Sequence, residues 1–229
     1  MSTVRDLFIE TPHIVAPLRE AADREQIRYS TVATTSVRED QIQALVQQLF
    51  FGNQSSPVRH VGFAPVEAST ATAELCLEVA KVLAEEDQYD IGLIDAHSDT
   101  VLLQTHLQVE PPNLPLTTWP MGPRLWLVPR QSWLADSRGR RITDQNLLRL
   151  RELTAQFDFS ILWCAPVSWL TASIGQSCDG MVLVLSANKT RCLVAARIKE
   201  QFRKAQVRLL GTVLAERRFP VPQGLYQNL

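Results

Sequence analysis

The feature that most constrains the fold of this chain is the alternation of short apolar runs with segments of helical periodicity. Six runs are almost continuously apolar, which is typical of strands buried on both faces of a sheet, namely residues 58–64, 90–95, 125–128, 160–164, 181–186 and 207–214. Four segments place apolar residues at helical spacing before or between them, namely residues 40–51, 70–84, 142–156 and 189–205. This order predicts an α/β domain with a mainly parallel sheet and helices on both faces.

The length of 229 residues suits one such domain with a buried core. We assign residues 37–229 to this domain. Residues 1–36 include Pro12 and Pro17 and show no strong hydrophobic period, so we interpret them as an N-terminal extension.

Charge and composition argue against two broad classes of function. A formal net charge of −1 disfavours a protein that binds nucleic acid by neutralising many phosphates. No apolar run approaches the roughly 20 residues that span a bilayer, and the start, MSTVRDLFIE, lacks the apolar core of a signal peptide. We therefore expect a cytoplasmic location and no nucleic-acid partner.

The spacing of cysteines and histidines does not favour a metal centre. The four cysteines are Cys76, Cys164, Cys178 and Cys192. They lack CxxC spacing, and each lies in or beside an apolar stretch, so we predict buried, reduced thiols. The four histidines likewise lack HxxxH or HExxH spacing, and no metal site is predicted.

The first apolar run leads into a helical segment through residues 65–73, which read PVEASTATA. Ligands bind at the carboxyl ends of parallel strands, and a strand–loop–helix unit can hold phosphate on backbone N–H groups. The pattern G-x-x-x-x-G-K-[ST] would place its lysine at Ser69 and its hydroxyl at Thr70. Its two glycines fall on Phe63 and Ala68. Taken alone, the segment predicts only a helix capped by Ser69 or Thr70.

Further segments follow in a recognisable order: IDAHSDT at residues 94–100, FDFSILWCAP at 157–166, DGMVL at 179–183 and RRFPVPQGLY at 217–226. Together with PVEASTATA, this series resembles the bacterial tyrosine autokinases of capsule and exopolysaccharide synthesis, which are related to the MinD/ParA class of P-loop ATPases. Their motifs are similar to PGEGKTTTA, IDADLRRP, YDFVIIDTPP, D-G-V-hydrophobic and RRFPIP-x-x-LY. The resemblance covers residues 37–229 and implies a P-loop NTPase-like fold.

The resemblance also implies a set of site residues, and most of the charged ones are replaced. The family's loop lysine, which contacts the terminal phosphates, aligns with Ser69. Its second acid of the IDAD-like motif aligns with His97, and the acid of its third motif aligns with Trp163. Only the metal hydroxyl, Thr70, and the first acid, Asp95, are retained at matching positions.

What remains of the nucleotide loop is Glu67, Ala68 and Thr70, with Val66 and Ala68 in place of glycines that let the backbone approach phosphate. Hydrogen bonds that involve a charge contribute about 1.5–3 kcal/mol each, so the lost lysine and acid are a severe loss for phosphoryl transfer. We therefore predict no catalytic residue, no metal site and no cofactor. ATP and Mg²⁺ would be the ligands if the site were active.

Three side chains at these positions have a second interpretation. Asp95 and His97 could form a new acid–base pair, but with no nucleophile nearby we favour remnants of the older site. Trp163, at a strand end, is interpreted as core filling rather than as a platform for a ligand.

For function, the resemblance implies a catalytically inactive homologue of a tyrosine autokinase that acts as a cytoplasmic regulatory or interaction partner in exopolysaccharide synthesis or export. The implied protein partner is a membrane polysaccharide copolymerase or adaptor, which would hold the chain at the inner face of the membrane. One alternative is a divergent, active ATPase or tyrosine kinase of the same pathway. A second is a MinD/ParA-like positioning protein, which the RRFPVPQGLY ending disfavours.

Two family features bear on oligomers and on kinase output. The family's ring-building helix, similar to E-x-x-R-x-x-R-T-N-L-x-F, aligns with residues 40–51, where Gln43 and Val46 stand at the arginine positions. A homo-oligomer remains compatible with the resemblance, but this ring contact is not predicted. The family's C-terminal tyrosine cluster is reduced to Tyr226.

Overall fold

The structure is a computed structural model. It describes residues 39–52, 56–68, 71–85, 88–97, 102–110, 117–134, 142–187 and 190–215. The predicted N-terminal extension, the predicted cap residues Ser69 and Thr70, and the closing segment 217–226 lie outside the described residues.

The described elements alternate between strands and helices, as the hydrophobic pattern predicts. The helices are α1 (residues 39–50), α2 (Ala71–Ala84), α3 (Leu103–His106), α4 (Asp144–Thr154), α5 (Trp169–Gly175) and α6 (Cys192–Lys204). The strands are β1 (His60–Pro65), β2 (Ile91–Ala96), β3 (Trp119–Gly122), β4 (Leu125–Val128), β5 (Phe159–Cys164), β6 (Gly180–Ser186) and β7 (Leu209–Ala215).

The strands form one seven-stranded sheet in the order β3-β4-β2-β5-β1-β6-β7. All pairings are parallel except that of β3 with β4. The prediction of a mainly parallel sheet is confirmed, and β2, β5, β1 and β6 lie at its centre. Parallel strands need crossover connections, so their helices cover the sheet and the central strands are buried on both faces.

Helices pack on both faces of this sheet, as predicted. Apolar residues of α1 and α2 contact one face, where Phe63 and Trp163 point. Residues of α4, α5 and α6 contact the other face, where Ala64 and Cys164 point. The split follows from strand geometry, because successive side chains of a strand point to opposite faces.

Three short elements were not predicted from the sequence. Strand β3 contains Pro120 and lies at the edge of the sheet, where a missing N–H donor is tolerated. Helices α3 and α5 have four and seven residues, too few to show a helical period. Ser168 begins α5 by accepting a hydrogen bond from the backbone N–H of Thr171 at 3.3 Å.

One prediction about the cysteines is wrong. All four are free thiols, and Cys76 and Cys164 are buried, but Cys178 is half-buried and Cys192 is exposed. Cys192 is exposed because the first turn of α6 extends beyond the residues that pack on the sheet. Burial raises the pKa of the Cys178 thiol to about 12.

Candidate functional site

The carboxyl ends of β1, β5 and β2 lie side by side and bring the sequence motifs to one edge of the sheet. In the strand register, Trp163 pairs with Phe63 on one side and with Asp95 on the other. Register partners in parallel strands share a face, so these three side chains form a row toward α2. The edge is the place where ligands bind in folds of this kind.

Asp95 is 1% exposed, and its carboxylate is hydrogen-bonded to the backbone that follows β2. One oxygen accepts from the N–H of His97 at 3.1 Å, and the other accepts from the N–H of Leu103 at 2.9 Å. Burial raises the pKa of Asp95 to about 6, and these hydrogen bonds and the charge of Arg130 partly oppose the rise. The carboxylate therefore links His97, directly after β2, to Leu103 at the start of α3.

Trp163 is 2% exposed and lies between two histidines. The imidazole of His97 stacks on its indole, with ring centroids 4.3 Å apart and an interplanar angle of 26°. His106 of α3 meets it edge-on, with centroids 5.2 Å apart. The indole Nε1–H has no hydrogen-bond partner among the described residues, which is costly for a buried donor. The side chain contributes area and shape rather than polar contacts.

The segment after β4 supplies two further residues of the site. The indole Nε1–H of Trp133, itself fully buried, donates to the backbone carbonyl of Asp95 at 2.8 Å. The guanidinium of Arg130 donates to the backbone carbonyl of His97 at 3.3 Å. Sequence reasoning missed both, although they directly follow the predicted strand 125–128. The rule that ligand-edge residues follow the carboxyl ends of strands would have found them.

The loop after β1 is described as far as Ala68. The N–H of Val66 donates to the carbonyl of Val184 in β6 at 3.0 Å, and the Val66 side chain is buried. Glu67 and Ala68 are exposed. The first amide of the loop is therefore part of the sheet and is not turned toward the site. Ser69 and Thr70, the two positions most informative for phosphate binding, lie outside the described residues.

Several of the residues described above form one cluster at the carboxyl edge of the sheet, and Asp95 is the one acidic side chain among them. Asp95, His97 and Trp163, the residues singled out from the sequence, lie together, and His106, Arg130 and Trp133 join them. In the described ranges, no three His, Cys, Asp or Glu side chains are grouped so that they could hold a metal ion. Each Asp95 oxygen already accepts one backbone N–H, which reduces its capacity to bind a cation.

A buried polar atom lies in the helix on the same side of the sheet. Thr72, in the first turn of α2, is fully buried, and its hydroxyl has no partner within the described part of the chain. Among the described residues, the first turn of α2 therefore carries a buried hydroxyl that is not hydrogen-bonded, which is costly in a protein core.

The architecture is that of the P-loop NTPase-like α/β proteins. No protein-family model matches the sequence, and no curated protein sequence matches it. The likeness is found instead among solved structures, at sequence identities that show the fold alone.

They include bacterial tyrosine kinase domains and a ParA family ATPase. The kinase domain of Escherichia coli tyrosine kinase ETK matches with a TM-score of 0.62 and 16% identity, covering 80% of this chain and 78% of that one. The BceF tyrosine kinase domain matches with a TM-score of 0.61 and 17% identity, covering 83% and 88%. A ParA family ATPase from Chlorobium tepidum matches with a TM-score of 0.55 and 11% identity, covering 68% and 72%.

Among the described residues, no helix is long and apolar enough to cross a membrane.

Proposed function

We propose that this chain is a catalytically inactive relative of the bacterial tyrosine autokinases, acting as a regulatory or interaction partner in exopolysaccharide synthesis or export. The fold is shared with the kinase domains of ETK and BceF. The motif order in the sequence agrees with the same group. The closing RRFPVPQGLY segment favours it over a positioning protein of the MinD/ParA kind.

The observation that supports inactivity best is the Asp95–Trp163 pair in register at the carboxyl edge. Where the kinases resembled here have an acid in the third motif, this chain has a buried indole stacked on His97. The retained acid, Asp95, binds two backbone N–H groups. Phosphoryl transfer depends on charges positioned around the phosphates, so replacing one acid by an indole and engaging the other removes much of that electrostatic support.

The alternative is a divergent enzyme that binds ATP through Thr70, Asp95 and backbone amides. One feature favours it: Asp95 is kept at the matching position although its burial raises the pKa and makes its charged form costly. A carboxylate whose pKa is raised by burial would be stabilised if a cation bound beside it.

A nucleotide titration separates these two functions. We expect calorimetry with ATP and Mg²⁺ to show no binding in the micromolar range, an affinity that corresponds to about 8 kcal/mol. The ETK kinase domain, run in parallel, shows that the assay can detect binding. A micromolar dissociation constant would support the divergent enzyme.

If nucleotide binds, a pair of variants shows where. Asp95→Asn should then weaken binding, whereas Asp90→Asn, at the opposite end of the same strand and paired with Arg124, should leave it unchanged. An effect of neither variant would place the nucleotide elsewhere on the protein.

The partner is tested separately. We expect the full chain to be retained on an immobilised cytoplasmic segment of a membrane polysaccharide copolymerase, equally with and without ATP and Mg²⁺. Retention that requires ATP would contradict a nucleotide-independent partner, and no retention at all would contradict the copolymerase assignment.

A further inference from the structure

Helix α6 and the residues that flank it carry positive charge that the rest of the chain does not share. Residues 190–208 contain six basic side chains and one acidic one, although the formal net charge of the whole chain is −1. The basic residues are Arg191, Arg197, Lys199, Arg203, Lys204 and Arg208. Glu200, the one acidic residue of this segment, pairs with Arg203 at 2.6 Å. The helix is therefore a local cationic surface on a nearly neutral protein.

The start of α6 adds to this charge instead of balancing it. The N-cap residue is Arg191, which provides no side-chain hydrogen bond, and the first turn contains no acidic residue. Exposed N–H groups at a helix start carry partial positive charge, and Ser, Thr, Asp or Asn is preferred there. A cation at this position lowers stability, and departures of this kind are expected at functional sites.

The same turn is apolar and exposed. Leu193 is 83% exposed, and its neighbours Cys192 and Val194 are also exposed. The first buried residue of the helix is Ile198. The polar anchor lies before the turn, where the Thr190 hydroxyl accepts from the N–H of Ser186 at 3.1 Å. The apolar turn therefore follows directly after a residue that is hydrogen-bonded to the end of β6.

A second apolar side chain lies at the same rim. Helices α5 and α6 both leave the carboxyl edge of the sheet, and their ends meet where the Gln176 side chain donates to the carbonyl of Ala205 at 2.9 Å. Both helices therefore begin at this edge of the sheet, α5 at Trp169 and α6 at Cys192. Trp169, the first residue of α5, is 65% exposed. We call Trp169, Arg191, Leu193 and Val194 the rim patch.

We propose that the rim patch binds directly to the surface of an anionic lipid bilayer. This goes beyond the proposed function, because it requires no protein partner and no nucleotide. Leucine, valine and tryptophan side chains enter the interface between head groups and acyl chains, where tryptophan is enriched. Arg191 and the positive start of the helix meet the acidic head groups, and Arg197 lies on the following turn.

The shape of the rim patch favours a bilayer over a protein. A stable protein interface buries about 800 Å² on each partner with close complementarity. The rim patch consists of one exposed helix turn and one exposed tryptophan at the start of the other helix. A bilayer surface accommodates such a turn without a matching shape.

Vesicle binding tests the proposal on the full chain. We expect cosedimentation with vesicles of phosphatidylcholine and phosphatidylglycerol in a 7:3 ratio, and about fivefold or more weaker binding to phosphatidylcholine alone. Binding should fall strongly in 0.5 M NaCl. Trp169 emission should shift to the blue on binding, and Trp169→Phe should abolish that shift. Equal binding to neutral vesicles, or no binding to either, would overturn the proposal.

Matched variants locate the contact. Leu193→Ser should reduce vesicle binding about tenfold, and Arg191→Asp about fivefold or more. Leu148→Ser and Arg149→Asp, at exposed positions of α4, are the controls and should bind like the parent chain. Equal loss in the controls would overturn the rim patch as the contact.

Two measurements without vesicles test for other ligands of the rim patch. Light scattering detects a second copy of the chain, and a DNA-binding assay detects nucleic acid. A parent dimer that Leu193→Ser dissociates would show that a second copy covers the rim patch, and tight binding to DNA lost in Arg191→Asp would show a nucleic-acid surface. Either result would overturn the lipid proposal. Neither would affect the nucleotide titration, so the proposed function stands or falls separately.

Discussion

At the scale of single residues, the site combines a buried carboxylate with a buried indole. Asp95 remains tolerable inside the protein because two backbone N–H groups bind its oxygens. Trp163 fills the neighbouring volume, and its stacking on His97 ties β5 to the β2–α3 connection. Both side chains therefore fill the carboxyl edge of the sheet and leave little of it exposed to solvent at these two positions.

The first prediction concerns the pH dependence of stability. The pKa of folded Asp95, about 6, lies above the ordinary value of 3.8, so between these pH values the folded protein holds a proton that the unfolded chain has released. The unfolding free energy should therefore fall as pH rises from 4 to 6, by about 2 kcal/mol for this group. Urea denaturation at pH 4 to 7 of the parent and Asp95→Asn isolates this effect. A difference between the two that does not change with pH would contradict it.

The second prediction concerns Trp163. Trp163→Asp should destabilise the fold by about 3 kcal/mol or more, because it removes a packed ring and buries a carboxylate. Trp163→Phe keeps a stacked ring and removes an indole N–H that has no partner in the described residues, so it should cost only about 1 kcal/mol. Thermal melts and urea denaturation measure both. A Trp163→Asp protein that melts with the parent would show an open site.

At the scale of elements, helix ends and strand contacts set local stability. Helix α4 begins with a capping box: the Thr143 hydroxyl accepts from the N–H of Asn146, and the Asn146 side chain accepts from the N–H of Thr143. Helix α6 begins with Arg191 and no cap. This contrast indicates that α6 can be stabilised by a single substitution at its N-cap.

The third prediction follows from that contrast. Arg191→Asp should raise the unfolding free energy by about 1 kcal/mol, because aspartate caps the free N–H groups and complements the helix dipole. Arg149→Asp, in the middle of α4, should stay within about 0.5 kcal/mol of the parent. Urea denaturation at pH 7 measures both. Destabilisation by Arg191→Asp would mean that Arg191 makes a stabilising contact within the fold.

The fourth prediction concerns the packing of β2 beneath α4. A Cβ atom added at Gly92 would lie 2.5 Å from the Phe157 ring, whereas one added at Gly122 would meet nothing within 4 Å. Gly92→Ala should therefore cost about 1–3 kcal/mol through overpacking, and Gly122→Ala should be close to neutral. Thermal melts of both variants decide it. Equal stability would show that the Phe157 ring can move aside.

At the scale of the whole molecule, the fold is shared with proteins of low sequence identity. The chain matches the ETK kinase domain over 80% of its length at 16% identity. At the motif positions that the sequence resemblance implies, Ser69, His97 and Trp163 stand where charged residues are expected. Function is set by sites placed on folds, so the fold by itself assigns no activity. Activity must be argued from the edge of the sheet.

The fifth prediction tests how deeply the site has changed. Ser69→Lys combined with Trp163→Asp should restore no ATP hydrolysis, because Val66 is buried with its N–H bonded to β6 and neither it nor Ala68 is a glycine. Adding Val66→Gly and Ala68→Gly is the matched comparison. An ATPase assay on both decides it, and turnover by the double variant would show that the loop can still accommodate phosphate.

The sequence alone determined the central architecture, because burial on both faces of a parallel strand leaves a local signature. The runs 58–64, 90–95, 160–164 and 181–186 correspond to β1, β2, β5 and β6, and the motifs placed Asp95 and Trp163 at strand ends. A bounded, continuously apolar run can be recognised from the sequence without knowing which strands lie beside it.

Only the tertiary structure decided what these residues contact. Strand order, the stacking of His97 on Trp163, and the indole of Trp133 on the Asp95 carbonyl join segments distant in sequence, and no local pattern encodes such pairs. The exposure of Cys192 was likewise decided by the tertiary structure, because the first turn of α6 contributes no buried residue. Apolar character along a chain predicts burial on average, but the position of each element in the fold determines which apolar side chains are covered.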